Sequence, residues 1–283
     1  DFKVAPTLAD TAAFYAAAQQ QHSMYLMQFD KVRFTNLHLD RFFHRNILFA
    51  DTLYIDGPDI NIFKDRTYPP LVESKVGYFP HQRLLQASST IMLKGMVVRN
   101  AHISYAERGE KTGQTGTLNF SDLNIRAGNI TNDSNLIKKN PYCLVDAHAT
   151  MLGSSPVNVQ FRFYLNSTDG RFDATGQVQR ITAAQLNKIS IPLANTRLQS
   201  FDVQRLQFAV QGSDFEATSN VHMRYNNLFV VLNKTDDETG RIKTNKLLTK
   251  ILNKFTLHES NPGTDGMERT AAGVKRLRVT SQP

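Results

Sequence analysis

The side chains able to do chemistry are few and scattered. Eight histidines stand at positions 22, 38, 44, 81, 102, 148, 222 and 258, together with a single cysteine, Cys143. No histidine lies two or four residues from another, the spacings that would set two metal ligands on one side of a strand or helix. His38 and His44 flank Asp40, a grouping that would hold a metal only through tertiary assembly. Asp51, Asp56, Asp59 and Asp65 are the densest carboxylates, yet no Asp-x-Asp-x-Asp-Gly run is present to encircle calcium. Asp56-Gly57-Pro58-Asp59 reads instead as a turn between two strands. Cys143 sits in the apolar-leaning run Tyr142-Cys143-Leu144-Val145, where nothing nearby lowers its pKa, and it reads as a buried, inert thiol. Neither a G-x-S-x-G elbow, an H-E-x-x-H pair, a P-loop nor a strand-following G-x-G-x-x-G occurs. The side chains therefore predict a non-enzymatic protein with no cofactor and no metal centre.

What remains is apolar chemistry laid out with the period of a strand. Val157, Val159, Phe161, Phe163 and Leu165 alternate with Asn158, Gln160, Arg162 and Tyr164, giving one apolar and one water-facing side. Phe215, Ala217, Val221, Met223 and Tyr225 repeat the pattern opposite Glu216, Thr218, His222 and Arg224. Between Phe201-Val203 and Leu206-Phe208-Val210 the alternation slips by one residue, the signature of a bulge in a long strand. Further strands are predicted over 31–39, 52–55, 60–64, 91–99, 102–106, 117–125 and 143–150, with Asp169-Gly170 the clearest hairpin turn. Three segments favour helix: the alanine-rich stretch 7–27, a capping box at Thr182-Ala183-Ala184-Gln185 whose helix must end before Pro192, and the lysine-rich stretch 243–255. The expectation is an all-β fold: a long, curved antiparallel sheet, partly open as a groove or taco. It is divided into an N-terminal helical segment (1–28), a β-sheet domain (29–240) and a basic amphipathic helix with a polar tail (241–283).

Charge sharpens the functional reading. The chain of 283 residues carries 33 Lys plus Arg against 25 Asp plus Glu, a formal net charge of +8. Nine of those basic residues and only three acids fall in 241–283, so the tail holds a surplus of six and the body is nearly neutral. A nucleic-acid-binding body is thereby disfavoured. Lys243, Lys246, Lys250, Lys254, Lys275, Arg276 and Arg278 become candidates for contact with an anionic membrane surface. No apolar run is long enough to span a bilayer, and the chain reads as a piece of a longer protein.

The order of these motifs resembles the C-terminal part of AsmA-like proteins, the bacterial envelope family that includes the TamB-like bridge proteins. Three blocks carry the resemblance. They are Val32–Leu37 with Ile47–Ile62, then Leu93–Tyr105 followed by Leu118–Ile125, and last Gly170–Gln177 with Ala183–Asn187, Pro192-Leu193 and the closing segment Phe215–Leu232 with its Met223-Arg224-Tyr225-Asn226-Asn227-Leu228. Ser219-Asn220 replaces the glycine such proteins often carry before the last strand. The resemblance covers roughly residues 30–255 and transfers no catalytic residue, because its motifs describe strands rather than a reaction centre. It implies a protein of the bacterial periplasm, anchored to the inner membrane through segments outside this chain, that handles or transports lipid between membranes. Val157, Val159, Phe161, Phe163, Phe208, Val210, Val221 and Met223 are the candidate lining of a groove for lipid or phospholipid acyl chains. The competing expectation is a structural β scaffold that recruits an envelope protein partner through exposed strand edges.

Overall fold

The computed structural model describes residues 2–8, 10–71, 74–235 and 242–276. The N-terminal stretch folds as strand β1 (Phe2–Val4), helix α1 (Thr11–Ala18), strand β2 (Ser23–Phe29) and strand β3 (Lys31–Thr35). The alanine-rich helix is thus shorter than predicted, because Ser23–Phe29 alternates and pairs with a strand further along the chain. Tyr15 fixes α1 to the sheet: its buried hydroxyl donates to the His22 carbonyl at 2.5 Å and accepts from Asp65 N–H at 3.0 Å. Helix α2 (Leu39–Arg45), strands β4 (Ile47–Asp56) and β5 (Asp59–Asp65), helix α3 (Pro80–Leu85) and strands β6 (Thr90–Arg108) and β7 (Thr115–Thr131) follow. Next come helix α4 (Ser134–Lys139), strands β8 (Tyr142–Met151), β9 (Ser155–Tyr164) and β10 (Phe172–Thr182), helix α5 (Ala183–Ala194) and strands β11 (Thr196–Gly212) and β12 (Glu216–Thr235). Strand β13 (Ile242–Thr244), helix α6 (Lys246–Ile251), a π turn (Leu252–Thr256) and strand β14 (Thr270–Arg276) close the described chain.

All the strands join one large, open, curved sheet, and from β6 to β12 it is a simple antiparallel meander. The first segments break that rule. Both β4 and β5 run parallel to β6, and they share a single register along it, Asp56 opposite Arg99 and Asp59 opposite His102. Asp56-Gly57-Pro58-Asp59 is therefore not a turn that reverses the chain, as predicted, but a kink within one long strand. β2 and β3 form a second kinked strand alongside, broken at Asp30. The predicted strands over 91–99 and 102–106 are likewise one strand of 19 residues, bent at Asn100. Because the sheet is mixed, the purely antiparallel expectation is corrected. The parallel step is made by the connection 66–89, which carries α3.

The kinks line up across the sheet. Gly57, Asn100, Asp122 and Arg180 all adopt left-handed backbone conformations, at φ of 57°, 52°, 51° and 55°. Register shifts fall at this level between β6 and β7, β7 and β8, and, at Val203/Arg205, β11 and β12, a pair that carries two more nearer Leu198. Each bulge inserts one residue, so side chains on either side stay on the same face when spaced by three rather than two. Val98 and Ala101, Phe120 and Leu123, Val178 and Ile181, and Val203 and Leu206 obey that spacing. These residues, with Ala149 and Val157, form the core cluster of the molecule. The core thus lies inside a crease running across the strands, not between two layers. α5 seals it: Leu186 packs on the cluster while the helix bridges β7 and β11. Pro192 falls in the last turn of α5 instead of ending it beforehand.

Gly57 is required at the crease for two reasons. Its φ is left-handed, and a Cβ added there would lie 1.9 Å from Asp30 Oδ2. Gly113 has a similar φ of +65° but open space around it. Gly57→Ala is expected to lower the unfolding free energy by about 3 kcal/mol and Gly113→Ala by about 1 kcal/mol. Equal losses in urea titrations would mean that the crease has no special steric demand.

Candidate apolar groove

Strand register decides which side chains share a face, and it gathers the predicted lining. Val159 lies level with Gly176, Phe208 and Val221; Phe161 with Ala174 and Val210; Val157 with Val178, Leu206 and Met223; Phe163 with Phe172. All eight candidates therefore stand on one face, the same face as the crease. Val157 is buried in the core cluster, whereas the other seven are half-buried. Among the described residues, α5 meets β6, β7, β10 and β11, while β8 and β9 touch chiefly their neighbours within the sheet. The face is closed where it meets the crease and unroofed above it. It extends from Ala147 on β8 to Val221 on β12, four strand spacings of about 4.8 Å each, or roughly 19 Å.

Aromatic rings flatten this surface. A Cβ on Gly176 would meet the Phe208 ring at 2.5 Å, and one on Gly212 would meet the Phe172 ring at 2.5 Å. Each ring thus lies down over a glycine on the neighbouring strand, filling the space a side chain would take. Phe161 and Phe163 stack with their centroids 5.6 Å apart and their planes 3° from parallel. The opposite face of the same strands is polar. There Gln160 Nε2 donates to Asp146 Oδ1 at 2.7 Å, and Arg162 pairs with Asp173 at 3.7 Å.

The far end of the apolar face is capped by the 66–89 connection. Phe79 meets Phe172 edge-on at 5.1 Å, and His81 stacks on Phe163 at 4.8 Å. Gln82 Nε2 and Gly77 N–H donate to the buried Asp214 carboxylate at 2.7 and 3.1 Å, fastening α3 to the turn between β11 and β12. His81 is only 3% exposed, and neither ring nitrogen makes a well-formed hydrogen bond. Its burial outweighs the nearby Gly170 backbone and Asp214 charge, so its pKa is pushed below the usual histidine value. Sequence reasoning missed this cap, since Phe79-Pro80-His81-Gln82 carries no long periodic pattern. Pro80 at the first helical position was the one available signal.

The other chemistry-bearing groups stay apart. Asp51 pairs with Lys94 at 2.5 Å, Asp56 with Arg99 at 3.7 Å and Asp65 with Arg108 at 3.6 Å. His38 lies 4.0 Å from Asp40 on an exposed surface, and no group of three metal-ligating side chains occurs among the described residues. Cys143 is buried, and burial pushes its thiol up to about 11. The basic candidates separate into two sets. Lys246, Lys250 and Lys254 rim a cleft of about 1050 Å³ with Phe229 and Val231, and Lys243 lies in β13. Lys275 and Arg276 lie on β14, opposite Ala217 and Glu216 at the other end of β12. At about 3.3 Å per residue the two sets are roughly 45 Å apart, so they are not one basic patch. Arg278 lies outside the described residues. The predicted helix over 243–255 is reduced to α6 and its π turn, because Ile242–Thr244 pairs with β12.

Comparison with protein-family models, with curated proteins and with solved structures finds no match in any of the three.

Two measurements follow from these environments. A histidine with a depressed folded pKa stabilises the protein above the unfolded value near 6.5, and that contribution fades as pH falls below it. His81→Phe retains the stacking and removes the titration, so its stability should decline less than wild type between about pH 6.5 and 5. Identical pH profiles by thermal unfolding would refute the assignment. Cys143 should resist iodoacetamide at pH 8 until denaturant is added.

Proposed function

We propose that the unroofed apolar face binds the acyl chains of lipid, and that the chain is a non-enzymatic, lipid-handling protein of the bacterial envelope of the AsmA-like kind its motifs resemble. The observation that carries this reading is one continuous apolar surface on a single sheet, half-buried and uncovered above the crease among the described residues. Soluble proteins rarely leave such a surface without a partner. An acyl chain laid across Val159, Phe161, Phe208, Val210 and Val221 would gain about 0.8 kcal/mol for each methylene removed from water. Neither hydrogen bonds nor charges on this face would select a headgroup, so the groove fits the chain of a lipid rather than its polar end. Its placement in the periplasm, with an inner-membrane anchor in segments outside this chain, rests on the resemblance alone.

A scaffold role is the second reading, supported by β14. Residues 270–275 are exposed along their length, and the strand pairs with β12 on one side. A partner strand could add to its other side.

Purified protein extracted with organic solvent should yield phospholipid by mass spectrometry, at a lipid-to-protein ratio that Val159→Gln with Phe208→Gln lowers at least several-fold. Phe208 lies above the crease and Val159 packs against its edge, so circular dichroism and thermal unfolding are read alongside and should show the double variant folded but less stable. Lipid-free wild type together with one stoichiometric protein partner lost on Val274→Pro would favour the scaffold.

A further inference from the structure

The orientation of α6 is the reverse of what an amphipathic surface helix adopts. Such helices turn their apolar stripe to the protein. Here the buried residue is Thr249, while Leu247, Leu248 and Ile251 are 69%, 49% and 43% exposed. The cause is the edge of the sheet. β14 pairs with the start of β12 and β13 with its end, leaving the backbone of the middle of β12 to be satisfied otherwise. Residues 245–261 do this with polar atoms. Asn253 accepts from Val230 N–H at 2.9 Å and donates to its carbonyl at 2.6 Å, as a paired strand residue would. Thr249 Oγ1 accepts from Leu232 N–H at 3.0 Å, Asn245 N–H donates to the Leu232 carbonyl at 2.7 Å, and the Glu259 carbonyl accepts from Leu228 N–H at 2.8 Å. An uncapped edge would leave these groups unpaired. Since Thr249 and Asn253 must face the sheet, the leucines and Ile251 must face away.

The surroundings of that outward stripe say what it meets. Residues 242–258 contain four lysines and no Asp or Glu. Exposed Lys246 and Lys250 border the stripe on the side of the cleft they share with Phe229, itself 41% exposed. Lysines alone would suit any polyanion, and leucines alone any apolar groove. A short apolar stripe rimmed by lysines matches the interface of an anionic bilayer, where apolar side chains enter the acyl boundary and ammonium groups stay among the headgroups. We propose that α6 docks this end of the sheet on an anionic phospholipid membrane, with Leu247, Leu248 and Ile251 inserted. The contact does not depend on whether the groove holds lipid.

The chain has no tryptophan, so Leu248→Trp supplies a single fluorophore. With vesicles of phosphatidylcholine and phosphatidylglycerol, its emission should shift to the blue and be quenched by lipid brominated on the acyl chain. Phosphatidylcholine alone should give a much smaller effect. Wild-type protein should float with the anionic vesicles. Leu247→Ser with Ile251→Ser, which leaves Thr249 and Asn253 in place, should reduce that binding about tenfold or more. Lys246→Gln with Lys250→Gln should remove the preference for phosphatidylglycerol. Flotation undiminished in the serine variant, or binding without quenching by brominated chains, would mean a purely electrostatic contact of the kind nucleic acid also makes, and would overturn the proposal. Failure of wild type to float would do so as well. The serine variant should still carry any lipid bound in the groove, which separates this test from that of the groove.

Discussion

The constraint on which the rest of the molecule depends is phase. A wide sheet with no second layer can bury apolar side chains only by bending over them, and bending long strands requires bulges. A bulge shifts the alternation of side chains by one, so an unmatched bulge would throw half of a strand's apolar residues to the wrong face. This sheet places a bulge of most of its long strands on one transverse line and changes the apolar spacing from two to three at that line on strand after strand. The result is a core made from one sheet folded on itself. The residues that permit it are the ones tolerated in left-handed conformations, namely Gly57, Asn100 and Asp122, with Arg180 the exception.

The helices answer a second demand, that backbone groups at the ends and edges find partners. α5 fills the gap between β7 and β11 beyond the tip of the β8–β9 hairpin. There Gln185 Nε2 donates to the Leu152 carbonyl at 3.2 Å and to Ser154 and Ser155 Oγ at 3.0 Å. On its other side Asn187 accepts from Leu198 N–H and donates to the Leu198 carbonyl, both at 2.8 Å. Asn253 does the same for Val230. In both helices an asparagine side chain substitutes for a missing strand, so helix orientation is set by the sheet edge as well as by apolar burial.

Much of this was legible in the sequence, and the failures have physical causes. Alternation in 157–165 and 217–225 located β9 and β12 and put the groove candidates on one face, because period two is unambiguous where one side meets water. The slip after Val203 was read as a bulge. The matching spacings at Val98/Ala101, Phe120/Leu123 and Val178/Ile181 carry the same signal and passed unread, since each interrupts a run that also looks like two separate strands. Gly57-Pro58 has the composition of a reversing turn, and only pairing with the distant β6 makes it a kink. The start of α6 was placed three residues early because Ile242–Thr244 pairs with β12, and its orientation was not legible because a lysine-and-leucine pattern shows where an apolar stripe lies but not which way it points. That direction was set by Thr249 and Asn253 satisfying a strand some twenty residues upstream.

The core and the unroofed apolar face are partly separable in this molecule. The buried cluster that stabilises the sheet is centred on the crease and α5, with Ala147 and Val159 packed against it and Ala174 buried beyond it, whereas Phe161, Val210 and Val221 are half-buried. A protein selected only for stability would cover or shorten that face, since extended strands with an uncovered apolar face invite aggregation. Here the face is instead smoothed by rings lying over Gly176 and Gly212 and guarded at one end by Phe79 and His81. On the central strand β10 Ala174 is small and the Phe208 ring fills the space over Gly176, and Ala147 stands at the β8 edge of the face. On the proposed reading, an apolar face smoothed by rings in this way, in a sheet already curved at the crease, suits a flexible chain better than a ligand of fixed shape.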